Sequence, residues 1–427
     1  MEQKSGAKKV LIVGGGFAGL NAAKALGKRE DLVVTIIDQR NHHLFQPLLY
    51  QVASAGLSPA DIASPIRSIF SRKDHVNVVL DRVQGVRLAE RAVELADGKT
   101  LSYDYLVLAC GATHSYFGHE EWEEHAPGLK TLEQATEIRR RILLAFEEAE
   151  KESLPTRKKM LQTFVVVGGG PTGVELAGAI GEMSRYTLKR DFRSIDPSRT
   201  RIFLIEAGPR ILPSFSARLS RRATQDLERL GVSVWTDSPV TRIEARGVQV
   251  GEDFLEAGCV LWAAGVKPSP LNATLGVPLD RQGRVMVRED LSLASHPEVF
   301  VLGDQAHSLD AKSQKPLPGL APVAIQQGRH VARVIVADLH GKARRSFKYI
   351  DKGQMATIGR KKAVAESAGL EFTGFTAWMM WLFVHVYYLI GFKNRLFVML
   401  QWMWSYLTFS RGARLIVSKD WRTFKNP

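Results

Sequence analysis

Two stretches of the chain place glycines where a pyrophosphate could lie against backbone. Lys9–Leu20 reads KVLIVGGGFAGL and Thr163–Leu176 reads TFVVVGGGPTGVEL, each a β-branched run entering GGGxxG. In the first, Gly14 permits the tight turn, Gly16 lets the backbone approach a pyrophosphate, and Gly19 allows close helix–strand packing. Gly168, Gly170 and Gly173 repeat the pattern. An anion held there would rest on the positive amino terminus of the following helix, which Phe17 and Ala18 open in the first motif. Each motif is followed by a second strand with a carboxylate at its tip: VVTIID ends at Asp38 and RIFLIE ends at Glu206. Asp38 can accept hydrogen bonds from a ribose diol. Glu206 would repel a 2′-phosphate and so favours NADH over NADPH, while Arg210 nearby offers a cation that could accept one. Two dinucleotide sites in one chain imply electron flow between two dinucleotides, most often a flavin and a nicotinamide.

The elements that must hold these residues are two βαβ units, each with a small-residue helix. Between them Val76–Ala109 reads as a β-meander with a turn at Asp97–Gly98. A helix is expected from Thr131 to about Glu150, because Thr131 and Gln134 have capping-box spacing. Lys151–Lys159 reads as a polar linker, and the second crossover is long, with a helix and loop through Met183–Thr200. Val232–Ala264 reads as strands, Gly283–Asp304 ends in the strand EVFVLGD, and Pro322–His340 reads as a helix.

Length and composition bound the rest. The chain has 427 residues, and at about 150 residues per domain two or three domains are expected. With 45% hydrophobic and 24% charged residues it is neither a disordered chain, a fibre nor a wholly membrane-embedded protein. Cys110 and Cys259 cannot build a disulfide framework or a multi-thiolate metal site. His42 and His43 are adjacent, point different ways and gain no acid or cysteine to complete a set, so no metal is expected. A net charge of +14 calls for an anionic partner. A phosphate-bearing cofactor or an acidic membrane surface suits the motifs, and nucleic acid is not expected. Met1–Lys9 is polar, and Val10–Val13 enters its glycine turn too soon for a signal peptide, which points to a reducing compartment.

The strand ending in Gly303-Asp304 resembles the second FAD motif of the two-dinucleotide flavoprotein superfamily, where the aspartate holds the ribityl chain. Leu106–Ala112, with Gly111, occupies the place of that superfamily's small-residue ATG-type turn, with Cys110 replacing the usual threonine. The chain lacks the paired redox cysteines of the disulfide reductases and sulfide:quinone reductases. Further segments resemble the type II NADH dehydrogenases, single-subunit NADH:quinone oxidoreductases. These are NHHLFQPLLYQVASAGLS from Asn41, GGGPTGVELAGAI from Gly168, WAAGVKP from Trp262, LPGLAPVAIQQGRHVA from Leu317, DKGQMATIGRKKAV from Asp351, and a Trp-rich tail. The motifs follow the family's order over essentially the whole chain.

That resemblance implies non-covalent FAD as cofactor, NADH as substrate and a membrane quinone as electron acceptor. It places Ala321 and Gly265 beside the cofactors, and Glu175 where it orients NADH for hydride transfer and relays protons. The family's AQxAxQxG helix start is altered here to APVAIQQG, so Pro322 removes one candidate donor and Gln326 becomes the expected quinone contact. The implied fold class is α/β: two Rossmann-like dinucleotide-binding domains, for FAD and NADH, plus a C-terminal amphipathic membrane-anchoring helical region. The FAD domain is expected to be split between residues 1–115 and 270–340, the NADH domain to span 116–269, and the membrane-associated region 341–427. Same-fold rivals are a reductase serving a soluble carrier such as ferredoxin and a non-catalytic NADH-sensing membrane protein.

The tail carries the membrane expectation. Phe375–Ile390 is almost wholly apolar, yet its 16 residues reach only about 24 Å, short of the ~30 Å hydrocarbon core. After GFKNR a second apolar helix is expected over Leu396–Phe409, with Gln401, Ser405 and Thr408 as a polar stripe. Trp378, Trp381, Trp402 and Trp404 suit a headgroup interface. Arg411, Arg414, Lys419, Arg422 and Lys425 suit anionic lipid. A hairpin lying in one leaflet fits this pattern, which makes a peripheral protein on the cytoplasmic face of a bacterial membrane the expectation. Burial of the same helices in a homodimer is the alternative.

Overall fold

The computed structural model describes residues 6–389, 395–400, 402 and 413–417. They form two compact units: residues 1–44, 64–113 and 266–351 make the first, and 45–63, 114–265 and 352–427 the second.

The first unit is built on a five-stranded parallel sheet. Lys8–Val13 lies at its centre, flanked by Leu32–Asp38 and then Val76–Leu80 on one side, and by Tyr105–Leu108 and Val299–Val301 on the other. Val10–Val13 and Val299–Val301 are buried throughout, as strands covered on both faces must be. The helix Phe17–Leu26 follows the first glycine turn, and Ala321–Leu339 packs against it. The crossing is close: a Cβ on Gly328 would fall inside the van der Waals shell of the Ala18 carbonyl. Only the middle of the expected meander is one. Val83–Arg87, Ala92–Leu95 and Thr100–Ser102 form an antiparallel sheet, whereas Val76–Leu80 and Tyr105–Leu108 join the parallel sheet. The apolar runs at both ends were legible as strands, but not their partners.

The second unit repeats the plan with four parallel strands in the order Val232–Trp235, Arg201–Ile205, Thr163–Val167, Cys259–Trp262. Helix Pro171–Glu182 follows the second glycine turn. The helix expected from Thr131 runs Leu132–Lys151, and Thr131 and Gln134 cap it reciprocally. The expected polar linker Lys151–Lys159 overlaps the helix Pro155–Leu161, which has Pro155 at its first position. The long crossover begins with one π-turn at Met183–Thr187.

The division differs from the expected boundaries in two places, each for a local reason. Residues 45–63 belong to the second unit because Leu49–Ala53 packs on Leu132–Lys151 and Pro171–Glu182. Residues 341–351 belong to the first, where the Phe347 N–H donates to the Glu289 carbonyl at 2.8 Å and Arg344 donates to Asp290 at 2.9 Å.

From Lys352 the chain folds with the second unit. Gln354–Gly359, Lys362–Ser367 and Leu370–Thr373 form an antiparallel sheet. The Ile358 carbonyl approaches Gly178 so closely that no side chain could fit there. The helix Gly374–Tyr388 then buries Ala377, Trp381 and His385, spaced four apart, with Ala377 against Ala363 and Ala365. Trp381 is therefore a core residue and not an interfacial one. It stacks on His385 at 4.3 Å, with Phe45 edge-on to the histidine at 6.2 Å. Trp402 packs against Trp381 at 5.4 Å and donates to Gln51 at 2.8 Å. The polar stripe Gln401, Ser405 and Thr408, Trp404, and all the tail cations except Arg414 lie outside the described residues. Among the described residues, no helix is long and apolar enough to cross a membrane.

Candidate functional site

In the first unit the glycine turn and its carboxylate form one cradle. Gly14 has φ +102 and its α-carbon abuts the Ala109 carbonyl, so only glycine fits. The Gly15 N–H donates to Asp38 Oδ2 at 2.6 Å and the Arg40 N–H to Oδ1 at 2.7 Å. Both bonds fix the carboxylate at the strand tip while each oxygen keeps a lone pair for a ribose hydroxyl. No side chain caps helix Phe17–Leu26, whose N-cap is Gly16. A Cβ at Gly16 or Gly111 would meet nothing within 4 Å. An uncapped helix amino terminus with open space beside it suits a pyrophosphate.

Three residues to which the sequence reading gave no cofactor role line this cradle. His43 is buried, with Nδ1 2.9 Å from the Gly15 carbonyl and its ring edge-on to Phe17. The carbonyl can only accept, so Nδ1 carries the proton. Burial lowers the His43 pKa to about 4, which keeps the ring neutral. Gln305 accepts from the Cys110 N–H at 2.8 Å and donates to Asn272 at 2.7 Å, tying the Gly111 turn to the Gly303 turn. Gln327 is buried and accepts from the Gly303 N–H at 2.6 Å. A cavity of about 90 Å³ opens beside these turns, lined by Gly303, Asp304, Gly319, Val323, Gln327 and Arg284. The only sequence signal for the two glutamines was adjacency to motif residues. Cys110 is half-buried, and desolvation pushes its thiol pKa up to about 12, so it stays protonated.

Gln326 has a different setting from its neighbour. Its Nε2 donates to the Ile350 carbonyl at 2.9 Å, and its Oε1 accepts from the Ile350 N–H at 3.0 Å. Both ends of the amide bond the Ile350 backbone in the segment that follows the helix, where the sequence suggested a direct contact with quinone. Ala321 begins the same helix.

The second unit holds its own cradle in the same way. Gly168 has φ +109 and abuts Ala264. The Gly169 and Gly208 N–H groups each donate to Glu206 at 2.7 Å, one to each oxygen. Arg210 turns away and donates to the Pro213 carbonyl at 2.9 Å. Helix Pro171–Glu182 starts at Gly170 with no side-chain cap, and Gly173 lies in its first turn. Gly265 lies under the Phe117 ring, which is 67% exposed. Phe117 sits at φ 55, a strained backbone for an aromatic residue, and nothing in its sequence surroundings marks it.

Glu175 is half-buried on that helix, and the Thr357 N–H points to its Oε1 at 3.4 Å. Burial raises its pKa to about 8, partly offset by the Thr357 N–H. At neutral pH this carboxyl therefore carries a proton, a property that suits an acid–base group. Among the described residues no cluster of three or more His, Cys, Asp or Glu side chains could hold a metal ion.

The pyridine nucleotide-disulphide oxidoreductase family model matches residues 8–328, and the NDH2 C-terminal domain model matches residues 352–412. The type II NADH:quinone oxidoreductase Ndh of Mycobacterium tuberculosis is 43% identical, over 96% of this chain and 91% of the relative. The type II NADH:quinone oxidoreductase of Staphylococcus haemolyticus is 31% identical, over 86% of this chain and 91% of the relative. Among solved structures, NDH2 from Plasmodium falciparum in complex with NADH shares the fold with a TM-score of 0.86 at 21% identity, over 96% of this chain and 100% of that chain. The sulfide:quinone oxidoreductase of Aquifex aeolicus shares it less fully, with a TM-score of 0.73 at 20% identity, over 91% and 92%. With relatives 43% and 31% identical over most of both chains, the chain belongs to the type II NADH:quinone oxidoreductases.

Proposed function

We propose that this chain oxidises NADH and reduces a membrane quinone through FAD bound in its first unit, without pumping protons. The observation that carries the reading is the paired cradle: two glycine turns, each with a carboxylate locked by two backbone N–H groups. FAD supplies the relay, accepting hydride from NADH and passing two electrons to quinone. The protein's residues bind and orient. Asp38 receives the flavin's ribose, the amino terminus of Phe17–Leu26 its pyrophosphate, and Asp304 its ribityl chain. Glu206 receives the ribose of NADH, and the position of Arg210 favours NADH over NADPH. Glu175 holds a proton at neutral pH and is the residue we assign to proton delivery, since quinone reduction by NADH consumes one proton from solution. Gln326 acts through the segment it clamps at Ile350.

The tail helix supports peripheral membrane docking. Opposite its buried face it exposes Phe383, Val384 and Tyr387, with Phe375 at its start. Such an apolar face in water is a docking surface, and we assign it to one leaflet at the cytoplasmic face of a bacterial membrane, with anionic lipid around its cations. A second copy covering the same face is the alternative; it would leave a stable dimer in the absence of lipid.

The test is direct. The purified protein is expected to be yellow, with one FAD per chain released on denaturation, and to oxidise NADH rapidly only when a short-chain quinone is present. A correctly folded, colourless protein that cannot be reconstituted with FAD would overturn the reading. Turnover with a ferredoxin in place of quinone would favour a soluble-carrier reductase.

A further inference from the structure

We propose that the second unit carries another lipid-facing footprint beside its tail: a basic surface formed by helix Pro155–Leu161 and the loop 186–193, which binds anionic phospholipid headgroups. The proposal rests on the peripheral-docking reading above and extends it to a surface far from the tail in sequence.

Three contacts bring the parts together. The Lys158 ammonium donates to the Ser194 carbonyl at 3.4 Å, which joins the helix to the loop. Glu150, at the end of the preceding helix, accepts from the N–H groups of Arg193, Ser194 and Ile195 and holds the loop in place. Arg414 forms an ion pair with Asp191, which brings the tail segment 413–417 to the same loop.

The charge of this surface is one-sided. Segments 150–159 and 186–199 together contain eight Lys and Arg residues and four Asp and Glu. Three of the acids are paired with cations, Glu152 with Arg157, Asp191 with Arg414, and Asp196 with Arg199, and Glu150 is engaged by the loop's backbone N–H groups. Lys151, Lys159, Lys189 and Arg190 are exposed, so the net positive field is turned to the surroundings.

Apolar groups separate a bilayer from other anions. Leu154 and Tyr186 are exposed at 54% and 51%, one before the basic helix and one before the basic loop. Leu415, Ile416 and Val417 are exposed directly after Arg414. Cations interleaved with isolated large apolar side chains match the headgroup–acyl boundary, where basic groups meet phosphates and apolar tips enter below them. An acidic protein or nucleic acid would reward the charges and leave these side chains in water.

The experiment uses the full-length flavoprotein freed of detergent, and measures co-flotation with vesicles of phosphatidylcholine alone or containing one third phosphatidylglycerol. The variant K159Q/K189Q/R190Q removes three exposed cations. Each is expected to contribute about fivefold to binding at low salt, so its partitioning onto the anionic vesicles should fall roughly a hundredfold. Binding to phosphatidylcholine and FAD content should stay unchanged. R281Q/K312Q/K315Q, which removes three exposed cations of the first unit, should bind like the native protein. If native and K159Q/K189Q/R190Q proteins float equally with both vesicle types, this footprint is refuted while tail docking stands. If the native protein floats with neither, the docking reading itself fails. If native protein prefers soluble polyglutamate to anionic vesicles, the surface meets an acidic polymer and the lipid assignment is overturned.

Discussion

Glu206 and Asp38 are two carboxylates held in the same way, and on the proposed reading each receives the ribose of one dinucleotide. Each receives two backbone N–H groups across its two oxygens, so neither carboxylate is free to swing away from a ligand. Arg210 donates to the Pro213 carbonyl, and the charge of Glu206 opposes a 2′-phosphate. Glu206→Ala should therefore raise the NADPH-to-NADH ratio of kcat/KM at least about tenfold, equivalent to about 1.4 kcal/mol, and leave the quinone KM unchanged. Steady-state kinetics with both nucleotides check it. Glu175 makes a pH prediction. Its unfolded carboxyl loses a proton near 4.5 and its folded one only near 8. Between those values the folded state binds the extra proton, so this group's contribution to stability falls as pH rises. Glu175→Gln should remove that slope: Tm of the variant should exceed the native value by a margin that grows from pH 5 to pH 8.5. The same variant should slow quinone turnover and lose the alkaline limb of its pH profile near 8. An unchanged profile would leave Glu175 a structural acid.

At the scale of elements, the first cradle depends on a helix crossing. Ala18 and Gly328 bring Phe17–Leu26 and Ala321–Leu339 into contact, and the second helix also delivers Gln327 to the Gly303 turn. A methyl group at residue 328 must push the helices apart. Gly328→Ala is expected to cost about 1–3 kcal/mol of stability, in the range of overpacked cores, and to release FAD faster, measured by flavin fluorescence during denaturant titration. Gln326→Leu should instead loosen residues 349–351, slowing quinone reduction while flavin reduction by NADH in single turnover stays near normal. Both βαβ units, their carboxylates and the capped helix at Thr131 were legible in the sequence, because each depends on local spacing. What stayed hidden depends on partners distant in the chain. Val76–Leu80 looks the same whether it pairs with a meander or a parallel sheet. Lys151–Lys159 reads as a linker until Pro155 is seen to start a helix. Gln326 and Gln327 are adjacent, and only the fold shows which one turns inward. Trp381 fits either a headgroup or a core until Ala363 and Ala365 are placed beneath its helix.

On the proposed reading the whole molecule is both a dehydrogenase and a membrane visitor, and the tail helix reconciles these through its two apolar faces. One face, at Ala377, Trp381 and His385, completes the second unit; the other, at Phe383, Val384 and Tyr387, remains exposed. Removing the helix altogether would uncover the sheet beneath it, so truncation before Phe375 should lower Tm and provoke aggregation instead of yielding a clean soluble enzyme. Charging the buried face, as in Trp381→Glu, should fail for the same reason. The informative change is Phe383→Glu with Tyr387→Glu, which leaves the packed face intact and puts two charges on the exposed one. On insertion scales a charge costs about 2.5–3.5 kcal/mol at the bilayer centre, and a shallower depth still weakens docking substantially. This variant should be soluble without detergent, retain its FAD and Tm, and reduce water-soluble quinones with NADH at near-native rates. Its activity with long-chain quinones should collapse, because those remain in the bilayer that it no longer meets. High salt alone should not release the native protein, since apolar burial is insensitive to screening. If the variant stays membrane-bound with its long-chain activity intact, the exposed face does not dock, and the tail's apolar surface belongs to a contact between two copies.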